Sequence, residues 1–551
     1  MKPFQEAVFY QIWPRSFNDS NHDGIGDLRG IIEKLDYIKS LHVDYIWISP
    51  FYKSPQDDYG YDVSDYMSVA SEYGTLEDFK ELVAKAKSLN MGIICDLVAN
   101  HTSTSHAWFQ EALNNPLSDK RDYYFFRPIS EGVPNNWISI FGGSAWTQVS
   151  EKDYALTLFT PTQADLNWDN PKVRAEVKHI MKTWLDLGIA GFRLDVFNTI
   201  SKIEGLISKN PHKKGYQFAD DFIKDRPLGQ KYLKDLLREL KQDYEFITIG
   251  EGMLITQEAA AIMCGPNKDQ LDLIIHFDLH MLGCGPLGKF DFRKLYHYTN
   301  KDFKKVLRAW NNAAQSRGFK IASTMSNHDQ PRSVSRFGDD RQYRFESAKA
   351  LFAINFFNVG SPFIYQGEEI AMKNMDLPIE EWKDFEAINT YKALQSMMKV
   401  PAFIAKRIIQ KMSRDHARGV MQWDDSTYGG FSEVKPWFKV NDDVKTINVF
   451  NQEHDPHSVL NYVRKLSALY HEYSTLALGV WSESLSEHPQ CIIMHRQDQD
   501  YQFTLVCNFS KKKISLPQID FGQLVLSNMK TNHSSQRLGP YETHVYQKGL
   551  K

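Results

Sequence analysis

Eight short apolar runs, separated by longer amphipathic stretches, constrain the fold of this 551-residue chain more than any other feature. They are VFYQIWP (8–14), YIWIS (45–49), GIICDLV (92–98), GFRLDV (191–196), EFITIGE (245–251), LDLIIHF (271–277), IASTMSNHD (321–329) and SPFIYQGEE (361–369). Runs that are apolar at nearly every position read as strands buried on both faces, as in parallel sheets covered by helices. The intervening GTLEDFKELVAKAKSLN (74–90) has the period of an amphipathic helix. Eight such units predict an α/β protein whose sheet closes into a (β/α)8 barrel, with an open doubly wound sheet as the alternative.

The spacing of the runs is uneven. Residues 101–171, rich in Asn, Trp, Gly and Pro, read as a lobe inserted after the third strand. Residues 370–440 form a second excursion, after the eighth. From 475 to 551 the pattern changes to short antiparallel strands, read as a C-terminal β-sandwich. The expected division is a barrel from 1–100 and 172–474, an inserted domain from 101–171 and the β domain from 475–551.

Composition excludes several classes of function. A net charge of −3 offers no basic surface for nucleic acid. The five cysteines are scattered without CxxC spacing, which argues against a disulfide framework or zinc site and suits a reducing cytoplasm. No basic-then-apolar leader opens the sequence. The most apolar stretch, 350–365, is broken by Asn355, Asn358, Gly360 and Pro362 and is too polar to span a membrane. The expectation is a cytoplasmic monomer with no organic cofactor and no membrane or nucleic-acid partner.

In a barrel, chemistry gathers at the C-terminal ends of the strands. Those ends read Asp96-Leu-Val-Ala-Asn100-His101, Arg193-Leu-Asp195, Glu251 and Asn327-His328-Asp329. A single aspartate after a strand is usually a helix cap, and Arg193 with Asp195, two apart and on one side of their strand, could be a structural ion pair. Four such clusters on one rim point instead to glycoside hydrolysis, in which a carboxylate nucleophile faces a protonated carboxylic acid. Arg193 would keep Asp195 ionised, and Glu251 would need a raised pKa. Histidines there can donate to sugar hydroxyls. Separately, Asp19-Ser-Asn21-His-Asp23-Gly-Ile25-Gly-Asp27 alternates oxygen-bearing residues in the manner of a calcium loop, with a polar surface loop as the simpler reading.

DLVANH (96–101), GFRLDV (191–196), IGEG (249–252) and SNHD (326–329) together resemble the conserved regions of the α-amylase superfamily, within it the oligo-1,6-glucosidase group. The likeness runs over nearly the whole chain. It implies Asp195 as nucleophile, Glu251 as acid/base and Asp329 as the third carboxylate. It implies His101, Arg193 and His328 around the bound glucose, Asp62 of YGYD as the clamp on its non-reducing end, and Phe141 narrowing the site. Arg418 would complete the floor, with Arg414 a second candidate. It also implies structural Ca2+ at Asp19, Asn21, Asp23, Ile25 and Asp27, although His22 stands where the group usually has glycine. Ancillary subunits of transporters share this barrel without catalysis, but this chain has all three carboxylates and no membrane span.

The resemblance implies a small-oligosaccharide substrate and leaves the linkage open. Val196 after the nucleophile and QADLNW (163–168) resemble the α-1,6-acting members. Ala164 and NNWISIFGGSAW (135–146) also resemble trehalose-6-phosphate hydrolases, for which the basic KNPHKK (209–214) could supply a phosphate site. A broad α-1,4-glucosidase is the third reading. Sucrose isomerisation fits less well, because QPRSVSRFGDD follows Asp329 without an isomerase-type charged aromatic motif.

Overall fold

The computed structural model describes residues 2–285, 288–291, 296–396, 398–530 and 536–550. Eight parallel strands close into a barrel in chain order. They are β1 (Phe9–Ile12), β2 (Tyr45–Ile48), β3 (Gly92–Leu97), β4 (Gly191–Leu194), β5 (Ile247–Glu251), β6 (Leu273–Ile275), β7 (Ile321–Ser323) and β8 (Gly360–Tyr365). Seven lie inside a predicted run, and β8 begins one residue before its run, at Gly360. β1 closes the ring by pairing with both β2 and β8, so that Phe9 stands opposite Tyr45 on one side and Phe363 on the other.

Alternation along each strand explains the continuous apolar runs. Phe9, Tyr45, Trp47, Ile94, Ile247, Ile249, Leu273, Ile275 and Phe363 pack together. They fill the barrel, while Tyr10, Ile46, Ile93, Phe192, Ile274 and Ile364 between them join the larger core under the helices. Gly191 and Gly360 open β4 and β8 where the sheet is too close for a side chain: a Cβ would lie 2.0 Å from Ile247 O and 1.9 Å from Ile321 O. The helix Leu76–Ser88 follows its predicted pattern. Thr75 and Asp78 form a capping box at its start, and Phe79, Leu82, Val83 and Ala86 turn inward.

The inserted segment holds the helix Ala107–Asn114 and a three-stranded sheet of Phe126–Pro128, Asp153–Leu156 and Trp146–Gln148. Its two ends are joined by an antiparallel pair, His101–Ser103 with Gln163–Asp165, which brings the QADLN motif back to the barrel rim. The segment after β8 carries the helices Phe385–Ser396 and Ala402–Ile409. The C-terminal region is a five-stranded antiparallel sheet made of β9 (Val480–Ser484), β10 (Cys491–Gln497), β11 (Tyr501–Asn508), β12 (Gln523–Ser527) and β13 (Thr543–Gly549), in the order β9-β10-β11-β13-β12. Among the described residues, the layer packed on this sheet is a ribbon of Ile514–Ser515 with Arg537–Leu538. Ile514 and Leu538 of that ribbon pack on Ile493, Val506 and Tyr546 of the sheet.

Candidate active site

Inward-facing positions change from apolar to charged toward the C-terminal ends of the strands. In register, Asp96 of β3 stands beside Arg193 of β4, which stands beside Ile249 of β5. Two residues further along β5 is Glu251. Arg193 is fully buried and organises the centre. Its Nη1 donates to Asp96 Oδ1 and to Asp195 Oδ1, both at 2.7 Å. Its Nη2 lies 2.5 Å from Glu251 Oε2, an ion pair without hydrogen-bond alignment. Trp47 Nε1 and Tyr61 OH donate to the other oxygen of Asp96, so that carboxylate is committed to holding the guanidinium.

Burial pushes the carboxyls of Asp195 and Glu251 each up to about 7, against the pull of Arg193, with neighbouring carboxylates adding to the rise. Groups this close titrate as a pair. The aligned bond from Arg193 favours the charge on Asp195 and leaves the shared proton on Glu251. Burial works against the charge on Asp329 too, but His328, Arg414 and Arg418 hold its carboxyl well below the usual range. Arg418 Nη2 lies 3.2 Å and Arg414 Nη1 3.5 Å from Asp329 Oδ1.

His328 packs against both Trp13 and Tyr61, each ring centroid 5.2 Å away. Burial lowers its pKa, so the ring is neutral. Gln11 Nε2 lies 2.8 Å from its Nδ1 and donates to it. The proton therefore sits on Nε2, 3.2 Å from Asp329 Oδ2. His101 does not offer a free donor. Its Nε2 reaches Tyr61 O at 3.1 Å and its Nδ1 is 3.2 Å from Asn100 Nδ2, so the ring braces the 54–62 loop. Phe141 is at the site, with the Arg414 guanidinium 4.9 Å over its ring.

Asp62 is an assignment that the geometry corrects. Both its oxygens are taken up by its own loop, accepting from Ser54 Oγ and from the backbone N–H groups of Asp57 and Asp58. The acid that faces the site is Asp58, buried, 3.5 Å from Arg414 Nη1 and 3.2 Å from Gln163 Nε2. Three aspartates within six residues look alike in sequence; the turn at Gly60, with φ of 104°, decides which one points where.

Other side chains at the centre were not evident from their types. Asp384, from the excursion after β8, accepts from Arg414 Nε at 2.9 Å and aims that arginine. Lys202 is buried, with Nζ 2.7 Å from Asp165 Oδ1 and 3.0 Å from Asn100 Oδ1. It joins the end of the inserted segment to the segment after β4. Val196 adopts φ 33° and ψ 43°, a left-handed conformation strained for a β-branched residue, directly after Asp195. Its N–H points to Glu251 Oε2 at 3.4 Å. Several donors, Arg414 Nη2, Arg418 Nη1 and Asn327 Nδ2, are buried without a protein partner among the described residues. Such groups suit a polar ligand rich in hydroxyls.

The loop over 19–27 is held by its own acids. Asp19 accepts from the N–H groups of His22, Asp23 and Gly24, and Asp27 accepts from Ser20 and caps the following helix through Gly30 N. His22 takes the positive φ of 62° that a glycine would accept more readily. Among the described residues, no three His, Cys, Asp or Glu side chains are grouped as metal ligands. An ion here would need the Asn21 amide and the Ile25 carbonyl as well as the three aspartates, and all of these are hard oxygen donors of the kind calcium takes.

A parallel barrel with three carboxylates around a buried arginine at its C-terminal rim defines a glycoside hydrolase. The chain belongs to the α-amylase family: the model of the alpha amylase catalytic domain matches residues 11–479. It is 41% identical to the oligo-1,6-glucosidase of Parageobacillus thermoglucosidasius over 557 residues, 98% of each chain. Among solved structures it is similar to the trehalose-6-phosphate hydrolase of Bacillus licheniformis, at 36% identity and a TM-score of 0.91 over 99% of each chain. It is likewise similar to the isomaltulose synthase of Klebsiella sp. LX3, at 35% identity and a TM-score of 0.94 over 99% of each chain.

Proposed function

We propose that the protein is a retaining exo-α-glucosidase that removes glucose from the non-reducing end of short α-glucosides, preferring α-1,6 linkages. The observation that carries this reading is the single guanidinium of Arg193 in contact with both Asp195 and Glu251. Two carboxyl groups sharing one arginine suit the separation of about 5 Å used in double displacement, and leave little room for the water that an inverting pair needs between them. Asp195 attacks the anomeric carbon while Glu251 protonates the departing oxygen. The glycosyl ester is then hydrolysed by a water that Glu251 deprotonates. Asp329, charged between two arginines and beside the His328 Nε2–H, accepts from sugar hydroxyls.

Asp58, with Arg414 behind it, takes the clamp role at the closed end of the site. Asp58→Asn is expected to lower kcat/KM on a disaccharide by roughly 10²-fold, through loss of a charged hydrogen bond to the glucose. Asp62→Asn should act through loop stability, as a lower Tm. The reverse pattern would return the clamp to Asp62.

Linkage preference rests on Val196, on the QADLN motif and on the oligo-1,6-glucosidase relatives. Lys209 of the basic loop is paired with Asp220 at 2.6 Å and with Asp221 at 2.5 Å, which weakens the case for a phosphate site there. The trehalose-6-phosphate hydrolase neighbours keep that activity as the alternative. The test is a comparison of kcat/KM on isomaltose, maltose, sucrose, trehalose and trehalose 6-phosphate. Isomaltose is expected to lead by tenfold or more, about 1.4 kcal/mol in the barrier. A lead by trehalose 6-phosphate would reassign the leaving-group site to a phosphate ester.

Asp19, Asn21, Asp23, Ile25 and Asp27 would hold a structural calcium ion, which would cross-link the loop. Removing it with a chelator is expected to lower Tm by several degrees, reversed by added Ca2+. An unchanged Tm would leave the loop as a self-bonded turn. Among the described residues no helix is long and apolar enough to cross a membrane, and all five cysteines are buried. These features support a cytoplasmic enzyme, and size-exclusion chromatography at the mass of one chain would support the monomer.

A further inference from the structure

Outside the barrel mouth lies a cleft of about 820 Å³, between the 52–69 hairpin, the start of the helix Ala107–Asn114 and the helix Pro171–Asp186. None of the residues given a catalytic or sugar-binding role above lines it. Among its walls are Asp65, Met67, His106, Trp108, Glu176 and His179. The volume lies in the range of small-molecule sites, about 300–1,000 Å³.

His106 carries the argument. It is 5% exposed, and its Nδ1 accepts from the N–H of Trp108, capping the helix. Burial lowers its pKa to about 4, so the ring is neutral and the remaining proton sits on Nε2. His106 belongs to the cleft wall, where this N–H is open to a ligand or to water. The cap on Nδ1 fixes the ring, so its donor is presented in one orientation. Glu176 supplies the complementary acceptor: its Oε1 receives Lys120 Nζ and Tyr123 OH, which leaves Oε2 for another group. Trp108, half-buried, and Met67 add apolar surface.

An aromatic plate, a neutral donor and carboxylate acceptors, with Lys53 on the same wall, match the C–H faces and paired donor–acceptor hydroxyls of an uncharged sugar. We propose that this cleft is a second binding site for a neutral glucosyl oligosaccharide, separate from the catalytic centre. The ligand class rests on the glucosidase reading. The cleft also touches the catalytic loops from behind. Ser54 on its wall donates to Asp62, which fixes the turn that presents Asp58, and Tyr66 OH donates to the carbonyls of Val98 and His101.

The test counts isomaltotriose bound per chain by equilibrium dialysis in the full-length D195N protein, which binds without turnover. Two molecules are expected, falling to one in D195N/W108A and in D195N/M67R, the second of which fills the cleft while leaving the core intact. Unchanged Tm checks that each variant is folded. The same stoichiometry in all three proteins overturns the proposal, whether that number is one or two. Failure of wild-type enzyme to hydrolyse isomaltose would count against the proposed linkage alone, since the cleft is judged only by the one-molecule difference.

Discussion

Asp195→Asn is expected to reduce kcat/KM on a chromogenic α-glucoside by about 10⁴-fold or more, some 5 kcal/mol of transition-state stabilisation. A carboxamide cannot form the glycosyl ester, and no second carboxylate is placed to replace it. Asp96, the nearest candidate, is closed off by Arg193, Trp47 and Tyr61. The fold should survive, because Arg193 keeps two carboxylate partners, Asp96 and Glu251, and asparagine still accepts its hydrogen bond. An unchanged Tm with lost turnover is the expected pair of results. Activity within tenfold of wild type would move the nucleophile elsewhere.

The second large effect concerns the proton on Glu251. Turnover needs Asp195 ionised and Glu251 protonated, the singly protonated state of a pair whose members are each pushed to about 7. Coupling splits the pair into two steps, one on either side, so kcat/KM should trace a bell centred near about 7. On the acid side Asp195 gains a proton and the nucleophile is lost. On the alkaline side Glu251 loses its proton and the leaving group departs unaided. Glu251→Gln removes the acid, so the alkaline limb should vanish. The loss should be about 10²–10⁴-fold on a sugar leaving group and much smaller on an activated aryl leaving group. A variant that keeps the wild-type alkaline limb would show that another group is the acid.

Much of this was legible in the order of residues. Strands buried on both sides must be apolar at nearly every position, so the eight runs marked the barrel before any contact was known. Asp195, Glu251, Asp329 and Arg193 stand at strand ends, where the parallel barrel itself gathers them, so local position along the chain located them. The Thr75–Asp78 capping box is local in the same way.

The rest depended on groups far apart in the chain. Asp58 and Asp62 differ only in which way one turn sends them, and their partners are Arg414 and Gln163 for one, Ser54 for the other. His101 was expected to meet sugar and instead spends its ring nitrogens on Tyr61 O and Asn100. Lys202 and Asp384 have ordinary charged side chains in sequence, and become a buried brace and the aiming group of Arg414 only when the inserted segment and the excursion after β8 close on the barrel. His106 and its cleft arise where three separate segments meet. The barrel and its catalytic carboxylates follow from residue order alone, because strand burial and strand ends are local properties of the chain. Which polar groups are already satisfied by the protein and which are left for a ligand emerges once the chain is folded, because a hydrogen-bond partner hundreds of residues away leaves no trace in the local pattern.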